Sequence, residues 1–201
     1  MREIPLLSVF CAGIFAEDQS DNEFADTEIV QQCLQGDRQS FRQLYRRYQQ
    51  RVRSTLYQLC GSSSVDDLVQ EVFLRAWKGL PKWQQKAKFS TWLYRITLNV
   101  AADQRQQFAR ARTQIQKLAR TVASESDAPS LENLHYQDIV QRGLANLSYD
   151  RRTVLVLHDL EEVPQKEVAQ ILGIPVGTVK SRLFHARAAL RTFLQQEGVN
   201  L

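Results

Sequence analysis

Apolar residues recur three and four positions apart along almost the whole chain, and no stretch keeps the two-residue alternation of a strand. That spacing predicts an all-α protein. Ile29, Val30, Cys33 and Leu34 form a short stripe ended by Gly36, with Asp37 or Ser40 placed to cap the next helix. Phe41, Leu44, Tyr45, Tyr48, Val52, Leu56 and Leu59 mark that helix as long and amphipathic, stopping at Cys60 and Gly61. Ser62 to Ser64 offer caps for a third helix with Val65, Leu68, Val69, Val72, Phe73 and Ala76 on its inner face, broken by Gly79 and Pro81. Residues 80–88 read as a loop, and Ser90 as the cap of a fourth helix carrying Trp92, Leu93, Ile96 and Val100.

Residues 121–130 hold Ser124, Glu125, Ser126, Asp127, Pro129 and Ser130, polar and with little to bury, which predicts a flexible linker between two packing units. Beyond it, Ile139, Val140, Leu144 and Leu147 make one helix. Ser148 caps a second bearing Val154, Leu155, His158 and Leu160. Pro164 opens a third with Val168, Ala169, Ile171 and Leu172, and Gly173 ends it where a left-handed residue is wanted. A last helix turns Val179, Leu183, Ala186 and Leu190 inward. Short helix, glycine turn and second amphipathic helix make a helix-turn-helix. Thr178, Lys180, Ser181, Arg182, Phe184 and His185 stay off its inner stripe, a polar and basic set suited to a DNA groove.

The charge is segregated. Residues 1–30 carry one base against seven acids, whereas residues 31–120 carry 17 bases against 5 acids, a net of +12. Such a field suits a polyanion surface, although arginine-rich solvated helix faces would give the same count. Cys11, Cys33 and Cys60 are odd in number and lack ligand spacing, so neither a disulfide framework nor a metal site is indicated, and a reducing cytoplasm fits. The apolar stretch from Ile4 to Ala16 has Pro5 within it and acids where a cleavage site belongs, so it does not read as a signal sequence; no stretch is long enough for membrane insertion. His135, His158 and His185 lie in unrelated segments, and no glycine-rich phosphate loop is present. No catalytic residues and no cofactor are expected.

These residues resemble a known family across most of the chain, roughly Asp26 to Leu194. QKEVAQILGIPVGTVKSRLFHAR, from Gln165 to Arg187, looks like sigma region four, the reader of the minus-thirty-five promoter element, although response regulators of the LuxR type share much of this pattern. The deciding segments are DDLVQEVFLRAW, Asp66 to Trp77, and FSTWLYRITLN, Phe89 to Asn99, which are similar to sigma region two, as are Gly36, Asp37, Phe41, Leu44 and Tyr45 to its first helix. Both halves, in this order and with only a linker between them, resemble the extracytoplasmic-function sigma factors of RNA polymerase.

The resemblance implies an alternative sigma factor, a non-catalytic subunit that binds core RNA polymerase, directs it to promoter DNA and promotes strand opening. It divides the chain into an acidic extension (1–25), region two (26–112), a linker (113–131) and region four (132–198). Asp67, Gln70, Glu71 and Leu74 would dock on polymerase. Lys82, Trp83, Lys86, Lys88, Arg95, Asn99 and Asp103 would meet the minus-ten element, where basic side chains hold phosphates and unstacked bases enter pockets. Asn99 reads base edges or bonds locally; Trp83 packs beneath its loop or meets DNA. Thr178, Lys180, Ser181, Arg182, Phe184, His185 and Arg187 would face the minus-thirty-five duplex. His185 stands where the family often has Arg, and Val163 and Pro164 replace the usual polar cap. An anti-sigma partner covering both domains is also implied.

Three readings compete with this one. A regulator acting without polymerase needs a receiver or ligand domain, an enzyme needs a recognisable site, and a purely structural helical protein leaves the charge segregation unexplained. The acidic extension either shields the basic domain or is a solvated tail.

Overall fold

The computed structural model describes residues 19–61, 64–118 and 132–199, with side chains over 26–61, 64–111 and 138–199. Among the described residues there are eight α-helices and no strand. The first 18 residues and residues 119–131, where most of the acidic extension and of the linker fall, lie outside them.

The first body consists of α1 (Gln19–Leu34), α2 (Arg38–Cys60), α3 (Val65–Gly79) and α4 (Phe89–Leu118), with a 3-10 turn at Leu80–Lys82. Helix α1 starts ahead of its apolar stripe and runs across residue 25, and α4 continues beyond residue 112, so neither expected boundary coincides with an element end. Asp37 caps α2 as its position suggests: its Oδ1 accepts from the Gln39 amide at 2.8 Å. Leu44, Tyr48, Val52, Leu56 and Leu59 are buried along α2. Tyr45, one residue round from Leu44, leaves the seam and stays 36% exposed. Helix α3 buries its predicted stripe from Val65 to Ala76.

Three predicted caps are not made. Ser64 sits in the left-handed region at φ 67 without a side-chain cap bond. Ser90 lies inside α4, which starts a residue earlier, and its hydroxyl is 3.3 Å from Glu167 Oε1. Ser148 holds its N-cap position, but its side chain makes no cap hydrogen bond.

The second body contains α5 (Glu132–Ala145), α6 (Tyr149–Leu155), α7 (Gln165–Leu172) and α8 (Val176–Gln196). Helix α6 passes into a π turn, Val156–Leu160, which the 3.6-residue spacing did not foretell. Such a turn inserts a residue into the ladder and re-aims the side chains beyond it. Here it buries Asp159 and leads to Glu162, which has φ 57. Gly173 takes φ 65 at the end of α7, and the Ile174 amide returns to Ala169 O at 3.1 Å, the six-to-one bond of a glycine-terminated helix. Pro175 then opens α8.

Two helical domains thus occur in the expected order, but their apolar interiors merge. Leu44, Leu56, Val72 and Leu93 of the first belong to one continuous cluster with Val154, Val156, Leu157, Val168 and Leu183 of the second. Burying a leucine fully is worth about 1.5–3 kcal/mol, so this shared interior is a substantial tie. A second cluster, with Ile139, Leu144, Leu155, Ala186 and Leu190, belongs to the second domain alone.

Candidate nucleic-acid interface

Helix α3 presents its outer face from the tight wall it makes with α2. Asp67, Gln70 and Leu74 are exposed, Leu74 at 46%. Glu71 is half-buried because Arg75 holds it: Arg75 Nε donates to Glu71 Oε1 at 2.7 Å, and Arg75 Nη1 donates to Asp103 Oδ2 of α4 at 2.7 Å. One guanidinium therefore joins the acidic face of α3 to a residue expected to face DNA. The two carboxylates hold the Arg75 pKa above its ordinary value. Trp77, 37% exposed, stands edge-on to Phe41 at 4.9 Å, and Tyr45 leans on Phe73 at 4.7 Å. These aromatics widen the apolar part of the outer face around Leu74. Sequence alone hides them, because at helical spacing an aromatic reads as core.

Lys82, Lys86 and Lys88 are exposed along the loop between α3 and α4. Trp83 is half-buried between Phe89, 5.8 Å away, and Trp92, 5.9 Å away, so it packs beneath that loop. Asn99 is exposed on α4 and borders two clefts. One, about 310 Å³, is lined by Arg75, Lys82, Trp92 and Ile96 as well. The other, about 350 Å³, opens between the domains and sets Arg95 and Asn99 opposite Tyr149, Asp150 and Arg182.

On the helix-turn-helix the predicted set divides. Lys180, Ser181, Phe184 and His185 are exposed, Phe184 at 70% with its ring edge-on to the His185 imidazole at 5.4 Å. Thr178 is half-buried. Arg182 donates to Asp150 Oδ2 at 2.6 Å. Arg187 grips Asp159 through Nε at 2.8 Å and Nη2 at 2.7 Å, and the Asp159 side chain is 2% exposed. A bidentate bond to a buried carboxylate fixes α8 on the π turn, which gives Arg187 a positioning task inside the domain. Arg95 is likewise engaged, its Nη2 donating to Gln170 O of α7 at 2.6 Å.

The chain matches the family models Sigma-70 region 2 over residues 44–113 and Sigma-70, region 4 over residues 137–190. It is 31% identical over 183 residues to the ECF RNA polymerase sigma-E factor of Haemophilus influenzae, covering 86% of this chain and 97% of that protein. The corresponding factor of Escherichia coli is 31% identical over 192 residues, covering 86% and 96%. Among solved structures, CnrH in complex with the cytosolic domain of CnrY superposes with a TM-score of 0.68 at 26% identity, covering 86% of this chain and 98% of that one. The sigma factor RpoE in complex with the anti-sigma factor NepR from Bartonella quintana gives 0.59 at 25% identity, covering 77% and 96%.

A region-two helical domain followed by a region-four helix-turn-helix defines a sigma-70-type transcription initiation factor. Within that class the chain belongs to the extracytoplasmic-function RNA polymerase sigma factors, and its function is that of an alternative sigma factor.

Proposed function

We propose that this chain docks on core RNA polymerase through the outer face of α3, opens the minus-ten element with the lysine loop and α4, and reads the minus-thirty-five duplex with α8. The observation that carries this reading is the separation of exposed side chains by chemistry. Asp67, Gln70 and Leu74, flanked by Tyr45 and Trp77, make an acidic and apolar face. Lys82, Lys86 and Lys88 project elsewhere on the same domain, and Lys180 and Ser181 project from the other. A protein partner fits the first and phosphate fits the rest.

In this assignment Asn99 and Trp92 line the cleft that receives an unstacked base, with Arg75 and Lys82 on its rim. Arg95, Asp103 and the partly packed Trp83 support α4 and its loop at the melted strands. Base contacts from Lys180, Ser181, Phe184 and His185 are worth about 1–3 kcal/mol each, enough to discriminate but too little to anchor one small module. Thr178, Arg182 and Arg187 hold α8 at the groove. Affinity therefore comes chiefly from polymerase.

The chain itself performs no chemistry in this reading, and it works in the cytoplasm, where its promoters are; no helix among the described residues is long and apolar enough to cross a membrane. The anti-sigma factor NepR bound to one structural relative, and the cytosolic domain of CnrY bound to another, support an anti-sigma factor as a partner here.

The deciding experiment is Leu74→Ala in the full chain, with core polymerase binding measured by fluorescence anisotropy. An exposed leucine contributes little to folding, so stability should stay within about 0.5 kcal/mol while core affinity falls at least tenfold. Unchanged affinity removes α3 as the docking helix.

A further inference from the structure

The two domains close on one another, and the side chains that join them include ones the proposed function needs elsewhere. Arg95 donates to Gln170 O, and Thr91 Oγ1 donates to Glu167 Oε1 at 2.8 Å, so α4 holds the first helix of the helix-turn-helix. At the far end of the contact, Arg152 Nε donates to Gln58 O at 2.7 Å and Gln141 Nε2 to Gln58 Oε1 at 2.7 Å. Tyr149 donates to Leu98 O at 3.4 Å, with the Arg105 guanidinium 4.5 Å over its ring. The cleft beside these bonds places Asn99 opposite Arg182. In this closed form Arg95 of α4 is spent on the other domain and Asn99 faces that domain across the cleft, so part of the α4 set assigned to the minus-ten element is turned toward α7 and α8.

In the middle of this contact a carboxylic acid is enclosed. Glu161, just past the π turn of the second domain, sends its side chain against α2 and α4 of the first, among the hydroxyls of Ser54, Thr55 and Tyr94 and near the guanidinium of Arg51. Its Oε1 and the Tyr94 hydroxyl are both sealed from solvent, and neither makes a hydrogen bond of normal geometry, although the carboxyl lies close to the Ser54, Tyr94 and Thr55 hydroxyls. Poorly satisfied polar atoms enclosed in one pocket are costly, and the cost rises if the carboxyl ionises there.

We infer that this closure is an autoinhibited state latched by Glu161 in its protonated form, so that the free factor is shut under mildly acidic conditions and opens as that carboxyl ionises. The inference rests on the proposed function, because only if α4 and α8 meet DNA does closure inhibit.

The charged and titratable surroundings agree. Burial raises the Glu161 carboxyl from 4.5 to about 7, outweighing the Ser54 hydroxyl, Arg51 and the Tyr94 and Thr55 hydroxyls, which all act to lower it. Tyr94 is itself driven well up, first by burial and then by Glu161, with Tyr48 and Glu167 adding to the effect, so it stays neutral. Tyr48 is also driven up, by burial and by Asp26, and stays neutral. Glu161 is therefore the group in this cluster that changes charge near neutrality. The sign is fixed by its higher pKa in the closed form. Closure is fully supported below 4.5, weakens as pH rises and has lost this support above about 7. The closed-to-open ratio should fall roughly a hundredfold across that window.

Small-angle X-ray scattering of the full chain from pH 5.5 to 8.5 tests this without polymerase or DNA. The wild type should be compact at the acid end and extended at the alkaline end. Glu161→Gln, which keeps the shape and removes the charge, should be compact throughout and should bind core polymerase more weakly than wild type at pH 8. Glu167→Ala, which deprives Thr91 and Ser90 of their acceptor, should be more extended at every pH while keeping the pH response. A wild-type radius independent of pH, or the same pH response in Glu161→Gln, overturns the latch. If scattering takes the expected course but Leu74→Ala keeps its core affinity, the latch stands and the functional assignment fails.

Discussion

At the scale of single residues, the structure separates basic side chains that face outward from those that hold the fold. Lys180 and Arg187 lie seven residues apart on α8 and both matched the pattern of a DNA-facing set, yet one is exposed and the other spans a buried carboxylate. Removing one member of a buried charge pair leaves the other uncompensated and costs about 3–5 kcal/mol. Arg187 keeps 28% of its side chain exposed, so solvent screening brings the cost below that range. We expect Arg187→Met to destabilise the protein by about 2–3 kcal/mol in urea denaturation. Lys180→Ala should leave stability within about 0.5 kcal/mol and weaken promoter binding. Equal stabilities for the two variants would mean that Arg187 serves DNA after all. The sequence could place both residues on the outer half of α8, but not choose between them. The choice depends on Asp159, which enters the reach of Arg187 only because a π turn rotates it there, and no periodicity argument anticipates a π turn.

Individual helices were the most legible level, because each buries a stripe whose spacing is written in the chain. The inner faces of α3 and α7, the Asp37 cap and the left-handed Gly173 appear where the apolar pattern and turn chemistry put them. The serine caps failed for different reasons: Ser64 takes a left-handed backbone, whereas the Ser90 hydroxyl faces Glu167 of the other domain. Close approach between helices was invisible too. A Cβ on Gly143 of α5 would lie 2.6 Å from Leu190 Cδ1 and 2.9 Å from Phe193 Cδ1 of α8, so glycine in the last turn of α5 marks the seam between those helices. Alanine elsewhere in a helix interior would gain about 0.5–1 kcal/mol over glycine. Here overpacking should reverse the sign, and Gly143→Ala should cost about 1–3 kcal/mol in thermal or chemical denaturation. A more stable variant would show that the rings of α8 shift away freely.

For the whole molecule, the sequence shows two domains and a linker, but the surface on which the domains meet is made of pieces that carry no local signal. Gln58, Arg152 and Glu161 sit at positions where a polar residue reads as solvent-facing, and each is explained only by the other domain. The merged interior makes their contact thermodynamically visible. While Val156 and Leu157 share a cluster with Leu56 and Leu93, neither domain can unfold without exposing apolar surface on the other. Glu161 then decides when the domains behave as one. Its raised pKa supports their union below 4.5 and withdraws that support as pH passes about 7. Differential scanning calorimetry should accordingly record one cooperative transition near pH 5.5 and two resolved transitions near pH 8, with Glu161→Gln keeping a single transition at both. Two transitions at every pH would mean that the shared interior does not couple the domains, and one at every pH that Glu161 does not govern the coupling.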